Sequence, residues 1–251
     1  MTDTPSGSGT PGGTPGGAPG EVRDRTGVPS GVPGTSHRAS GPSGRIQVGL
    51  HELSVVGVVA FSRTAACVRY AKDADRAPRM EPRVTLMRMS AQAVASFDRV
   101  VELAGAHGVE VYGAVERFMG LLGDLDERLR PLDWFERLAK TYLALGLLVD
   151  FGMALCDSLP EPLRSGLIDE LAQDPVGTYA SAELDSAIAG DPQLAARLGL
   201  WGRRVVGEEI GTLQRLLTQV PELLGDTGAE QMHAVLSQGA VSRMRGLGLR
   251  V

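Results

Sequence analysis

The chain has 251 residues, 43% of them apolar, and a formal net charge of −5 at neutral pH. That length accommodates one or two domains, and the apolar share is enough to fill a core. The acidic balance argues against a broadly basic nucleic-acid surface.

The chain opens on a segment that cannot join a core. Residues 1–44 hold 12 of the 33 glycines and 7 of the 15 prolines, with GTPGGTPGGAPG at 9–20. So little apolar surface cannot offset chain entropy, so residues 1–45 are expected to be a disordered tail. The tail has neither the apolar stretch of a secretory signal nor the Arg-rich amphipathic pattern of a transit peptide. Residues 46–251 then form a single domain.

From residue 46 onward the periodicity is helical. Leu53, Val56, Ala60, Cys67 and Tyr70 make one stripe of a first helix, which Pro78 ends. A second helix follows Pro82 and closes at Gly105 and Gly108. A shorter one over 112–130 leads to Pro131. Asp133 is the expected N-cap of a third long helix that runs to Leu159. The pattern predicts a fourth helix over roughly 161–190, with Pro175 and Gly177 inside it, a fifth over 192–220 and a sixth over about 228–246. No segment alternates with period two. The expected class is all-α, and two long helices, a connection and further long helices match a bundle with one crossover.

Local stretches sharpen this. DWFERLAKTYL with DF at 150–151, AIAGDPQLAARLGLWGRRVVGEE (187–209), VVAFSRTAACVRYAKDA (58–74) and GLG (246–248) resemble actinobacterial ferritin-like proteins related to the diiron tRNA hydroxylases. The resemblance runs from about residue 50 to 249. It implies a ferritin-like four-helix bundle with additional C-terminal helices.

A carboxylate-bridged diiron site draws one carboxylate from each of two helices and a Glu-x-x-His pair from each of the other two. The spacing of three sets carboxylate and imidazole on one helix face. Of the four histidines, His37, His51 and His107 are preceded three residues earlier by Gly34, Val48 and Ala104. Glu230-x-x-His233 is the one match, near the C-terminus, where a solvated helix face explains it better. Carried over from the family, the first-helix carboxylate falls at Arg63 and the second-helix pair at Ala93 and Ser96. The third-helix carboxylate falls at Asp150, which is retained, and the fourth-helix pair falls near Gln173 and Val176. The family would use two iron ions. With one ligand kept and no bundle histidine, these positions read as a vestigial metal site, and no cofactor is expected.

Asp150 interrupts the apolar run TYLALGLLVDFGMALC (141–156), and Arg63 interrupts the stripe of the first helix. An arginine fork meets a carboxylate with two hydrogen bonds and stays charged when desolvated. A buried Arg63–Asp150 pair in place of the metal is one expectation. Arg63 paired with Glu208 or Glu209, or both charges facing outward, are the others.

The function expected is a non-catalytic structural or interaction protein. The alternatives are a hydroxylase or oxidase of the tRNA-hydroxylase-like family and a small-molecule carrier using the bundle centre. An unidentified protein partner is expected, and the resemblance suggests a homodimer. The longest apolar run falls short of the ~20 residues of a membrane span, and Cys67 and Cys156 read as buried thiols of a reducing compartment. A cytoplasmic protein without membrane or nucleic-acid partners follows. Met80, Met87, Met89 and Met119 are expected as core filler, and Arg79, Arg83 and Arg88 as a solvated face.

Overall fold

The computed structural model describes residues 48–250 apart from Leu122 and Asp174. The expected tail, with His37, lies outside the described residues. Among them are nine α-helices, one 3-10 turn and no strand. They are α1 (Leu50–Arg76), α2 (Met80–Ala106), α3 (Val111–Glu116), α4 (Gly123–Arg128), α5 (Trp134–Cys156), α6 (Leu163–Leu171), α7 (Pro175–Ile188), α8 (Pro192–Gln219) and α9 (Ala229–Gly246), with the turn at Pro221–Leu224.

α1 and α2 form a long antiparallel hairpin. Gly49 N–H donates to Glu52 Oε2 at 2.8 Å at the start of α1. At its end the Arg83 guanidinium donates to the Ala74 and Asp75 carbonyls at 3.1 and 3.0 Å. The Ala74 carbonyl also accepts from the Ala77 N–H at 3.3 Å, and a cation near a helix C-terminus is favourable. Arg83 therefore ties the hairpin instead of facing water. α2 stops where Gly108 turns the chain at φ +83°, a conformation that favours glycine.

The segment 112–130 holds two short helices, because Gly120 at φ +87° breaks it. The expected fourth helix is likewise split, into α6 and α7, at Ala172–Pro175. Proline removes an N–H and crowds the preceding turn, so it opens a new helix at its own first position. Asp133 caps α5 as expected, accepting from the Glu136 N–H at 2.9 Å. Asp191 does the same for α8, accepting from Gln193 and Leu194 N–H at 3.0 and 2.9 Å.

α5 is the central helix, packing on α1, α6, α7, α8 and α9. Leu138, Leu143, Leu147, Leu148, Phe151 and Leu155 are all buried along it. α1 and α2 pack together, α1 packs on α5, and α6 packs on both α2 and α5, while α8 and α9 pack on α5 and on each other. Contrary to the reading of its apolar run, α5 is long and apolar enough to cross a bilayer, as is α1. Yet 78% and 72% of their apolar windows are buried against other helices. Both are core helices here.

Candidate functional site

Four of the six positions carried over from the resemblance meet at one cavity. Arg63 of α1, Ala93 and Ser96 of α2, and Gln173 at the α6–α7 break line a space of about 410 Å³, with Tyr70 and Met89 beside them. Small side chains at 93 and 96 leave the room. Arg63 is buried; its Nε donates to Ser62 Oγ at 3.1 Å and one terminal nitrogen donates to the Glu170 carbonyl at 3.3 Å.

Glu170 of α6 is the carboxylate that the sequence reading missed. Its two oxygens accept from Arg99 at 2.6 and 2.8 Å, and Ser96 Oγ donates to it at 2.7 Å. Burial alone would raise this carboxyl, but the hydrogen bonds from Arg99 and Ser96 outweigh it and hold Glu170 below the usual range. Glu170 precedes Gln173 by three residues, one helical turn before the position expected from sequence. Val176, assigned to that pair, is instead packed in the apolar core.

Asp150 is not at this cavity, and the Arg63–Asp150 pair is corrected. Asp150 faces α9, where both its oxygens accept from the Arg243 fork at 2.8 and 2.7 Å. Arg243 also lies over the Tyr142 ring, 5.7 Å from its centroid. Gly146 and Gly239 give this pair its space: a Cβ at 146 would stand 2.4 Å from the guanidinium, and one at 239 would stand 2.5 Å from the carboxylate. The cause of the error is plain. Asp150 is on the α9 side of α5, away from α1.

A second polar group is sunk between α1, α4, α5 and α8. Asp73, 2% exposed, accepts from the Thr141 hydroxyl and from Arg137 at 3.3 Å. Burial raises its pKa against those bonds. Asp126 pairs with Arg69 at 2.7 Å and Lys140 at 2.9 Å. Burial opposes ionisation of Asp126, but Arg69 and Lys140 win and lower its pKa. The Lys140 ammonium also donates to the Leu129 carbonyl at 2.7 Å, and burial with the neighbouring Arg69 charge lowers its pKa. Glu209 of α8 is fully buried, and neither of its oxygens has a hydrogen-bond partner among the described residues. Burial, reinforced by Asp126, pushes its pKa up to about 8, so it is mostly protonated at neutral pH. It therefore does not take Arg63, and its neighbour Glu208 pairs with Arg128 at 3.0 Å.

The remaining candidates resolve simply. Glu230 and His233 are exposed on α9, and His233 Nδ1 bonds Gln214 at 2.8 Å. His51 is tied to Ser158 and to the Glu222 carbonyl. Cys156 is a buried thiol pushed up to about 12 by burial, whereas Cys67 is half-buried and lies 3.3 Å from Ser90 Oγ. Of the four methionines only Met89 is core; Met80, Met87 and Met119 are exposed. Trp201 is buried and donates to the Glu136 carbonyl at 2.8 Å.

The cavity therefore presents a guanidinium, a methyl, a hydroxyl and an amide at the assigned positions, with one carboxylate already held by Arg99 and Ser96. No group of three or more His, Cys, Asp or Glu side chains comes together among the described residues. These side chains do not fit a diiron pair, which needs carboxylates and imidazoles converging from four helices.

Long helices around a common interior, with a crossover between the α1–α2 hairpin and the later helices, define a ferritin-like all-α bundle. The chain belongs to the ferritin-like domain family of actinomycetes, whose family model matches residues 50–226. No curated protein matches the chain.

Proposed function

We propose that this protein is a ferritin-like bundle that has lost the diiron site and serves as a non-catalytic structural or interaction protein. One observation carries the reading. Arg63, Ala93, Ser96 and Gln173 converge on a single cavity, as ligand positions should, yet none supplies a carboxylate or an imidazole. Glu170, the carboxylate beside them among the described residues, has its oxygens held by Arg99 and Ser96. A role through a protein partner or a homodimer is consistent with that chemistry, and sedimentation of the full chain at micromolar concentration tests the homodimer. The cavity itself favours a second reading, a small-molecule carrier, which native mass spectrometry of the protein as purified tests by a bound mass.

Restoration tests the main reading. Arg63→Glu, Ala93→Glu and Ser96→His together return two carboxylates and an imidazole to the cavity wall near Glu170. The triple variant is expected to bind cobalt(II) saturably at about one per chain. Without metal the introduced carboxylates repel Glu170, so added cobalt should raise the melting temperature. The parent should do neither. Equal cobalt binding by the parent, or a variant whose folding and metal uptake are indifferent to cobalt, would overturn the proposal.

A further inference from the structure

A basic cavity of about 350 Å³ lies over the polar group around Asp73 and Asp126, lined by α1 residues other than those at the Arg63 cavity. Six cationic side chains line it: Arg69, Lys72 and Arg76 from α1, Arg130 before α5, and Arg137 and Lys140 from α5. Against them stand two carboxylates, Asp73 and Asp126. The lining thus carries a surplus of four positive charges in a chain whose net charge is −5. The chain has just two lysines, Lys72 and Lys140, and both are here.

The cations divide into an inner wall and a rim. Arg69 and Lys140 are 7% and 5% exposed and are committed to Asp126. Arg137 is committed to Asp73. At the rim, Lys72 and Arg76 are 64% and 69% exposed, Lys72 stands 3.8 Å from Asp126, and Arg76 leans on its sequence neighbour Asp75 at 3.5 Å. Arg130 is exposed as well. Cations gathered in a concave, partly low-dielectric wall concentrate positive potential there, and it attracts a multiply charged anion. Guanidinium forks match phosphate geometry, with lysine adding a point charge.

A second chamber adjoins this one and shares Arg69, Lys72 and Asp126 with it. It measures about 400 Å³, and its wall includes Phe61, Val68, Val115 and Met119. Val68 and Met119 are exposed apolar side chains, 51% and 73%. An apolar chamber opening onto a basic one is the shape of a site for a ligand with a charged head and an apolar body.

We propose that the paired chambers bind a small amphiphilic phosphate, its phosphate or diphosphate head among Lys72, Arg76, Arg130 and Arg137 and its apolar body against Phe61, Val68 and Met119. The two chambers, about 350 and 400 Å³, are sized for a metabolite. This inference is independent of whether the bundle binds metal.

Calorimetry on the full chain tests it with two probes, inorganic pyrophosphate and dispersed octyl phosphate, and with inorganic orthophosphate as the reference, at fixed ionic strength. Both are expected to saturate at one per chain, with octyl phosphate binding at least tenfold more tightly than inorganic orthophosphate. The R76A/R130A variant changes two exposed side chains, so its melting temperature without ligand should match the parent. It should bind both probes at least tenfold more weakly. Met119→Glu should weaken octyl phosphate and spare pyrophosphate, while Arg99→Ala in the other cavity should affect neither. The proposal is overturned by absence of saturable binding, by affinity that survives R76A/R130A, by loss that follows Arg99 instead, or by preference for phosphatidate vesicles or duplex RNA over dispersed octyl phosphate.

Discussion

Replacing Glu209 by Gln should remove a pH-dependent penalty from the fold. Glu209 is fully buried and its pKa is pushed from 4.5 to about 8, by burial first and Asp126 second, with Arg69 and Lys140 opposing. A raised carboxyl pKa means that the folded state holds its proton more tightly than the unfolded one. Its contribution is therefore fully present below pH 4.5 and is lost progressively as pH rises towards 8. The cost of folding against the ionised unfolded state grows by about 1.4 kcal/mol per pH unit across that window. Integrated between pH 5 and pH 9, the difference between Glu and Gln should reach about 4 kcal/mol. Gln keeps the shape and carries no charge, so groups such as Asp73 and Asp126 contribute nearly equally to both proteins and cancel on subtraction. Urea unfolding at unit steps of pH, on parent and Glu209→Gln, reads the difference directly. Parallel stability curves would refute the burial argument, as would a Glu209→Gln variant that loses ground relative to the parent as pH rises.

Two further perturbations follow from packing. Asp150→Leu and Arg243→Leu should each cost about 2 kcal/mol, less than the ~3–5 of a fully buried pair because both side chains keep some water; the double variant should recover at least half of the summed loss, and strict additivity in urea titrations would deny the pairing. Gly57→Ala puts a Cβ 2.6 Å from the Ala114 carbonyl oxygen and 2.7 Å from the Phe118 ring, where α1 meets α3; the overpacking should cost about 1–3 kcal/mol in chemical denaturation, whereas Gly105→Ala, with open space around it, should change stability little or raise it.

Much of the fold was legible because helix signals are local. The Asp133 cap, the stop near Gly108 and the span of α8 all follow from residues within a turn of the boundary. The broken elements were less visible. Pro175 and Gly177 were noted inside a single fourth helix, although proline at a first helical position marks a start as readily as an interior kink. The candidate site was legible in part. Arg63, Ala93, Ser96 and Gln173 share a cavity, but Val176 does not, because a new helix starts at Pro175 and packs Val176 into the apolar core. Asp150 could not be placed from its own sequence context. Its partner Arg243 lies 93 residues away on α9, and its side of α5 depends on how α9 docks. The ionic group around Asp73, Lys140 and Glu209 was hidden for the same reason. Its one sequence signal was Lys140, a rare lysine beside an apolar run.

The central claim is that the bundle lacks the diiron site, and elemental analysis tests it most directly. The full chain would be expressed in iron-supplemented medium and purified without chelator, with iron and manganese measured per chain. Arg63, Ala93, Ser96 and Gln173 predict far less than one metal ion per chain. Two equivalents of iron, retained through gel filtration and lost on chelation, would contradict the account.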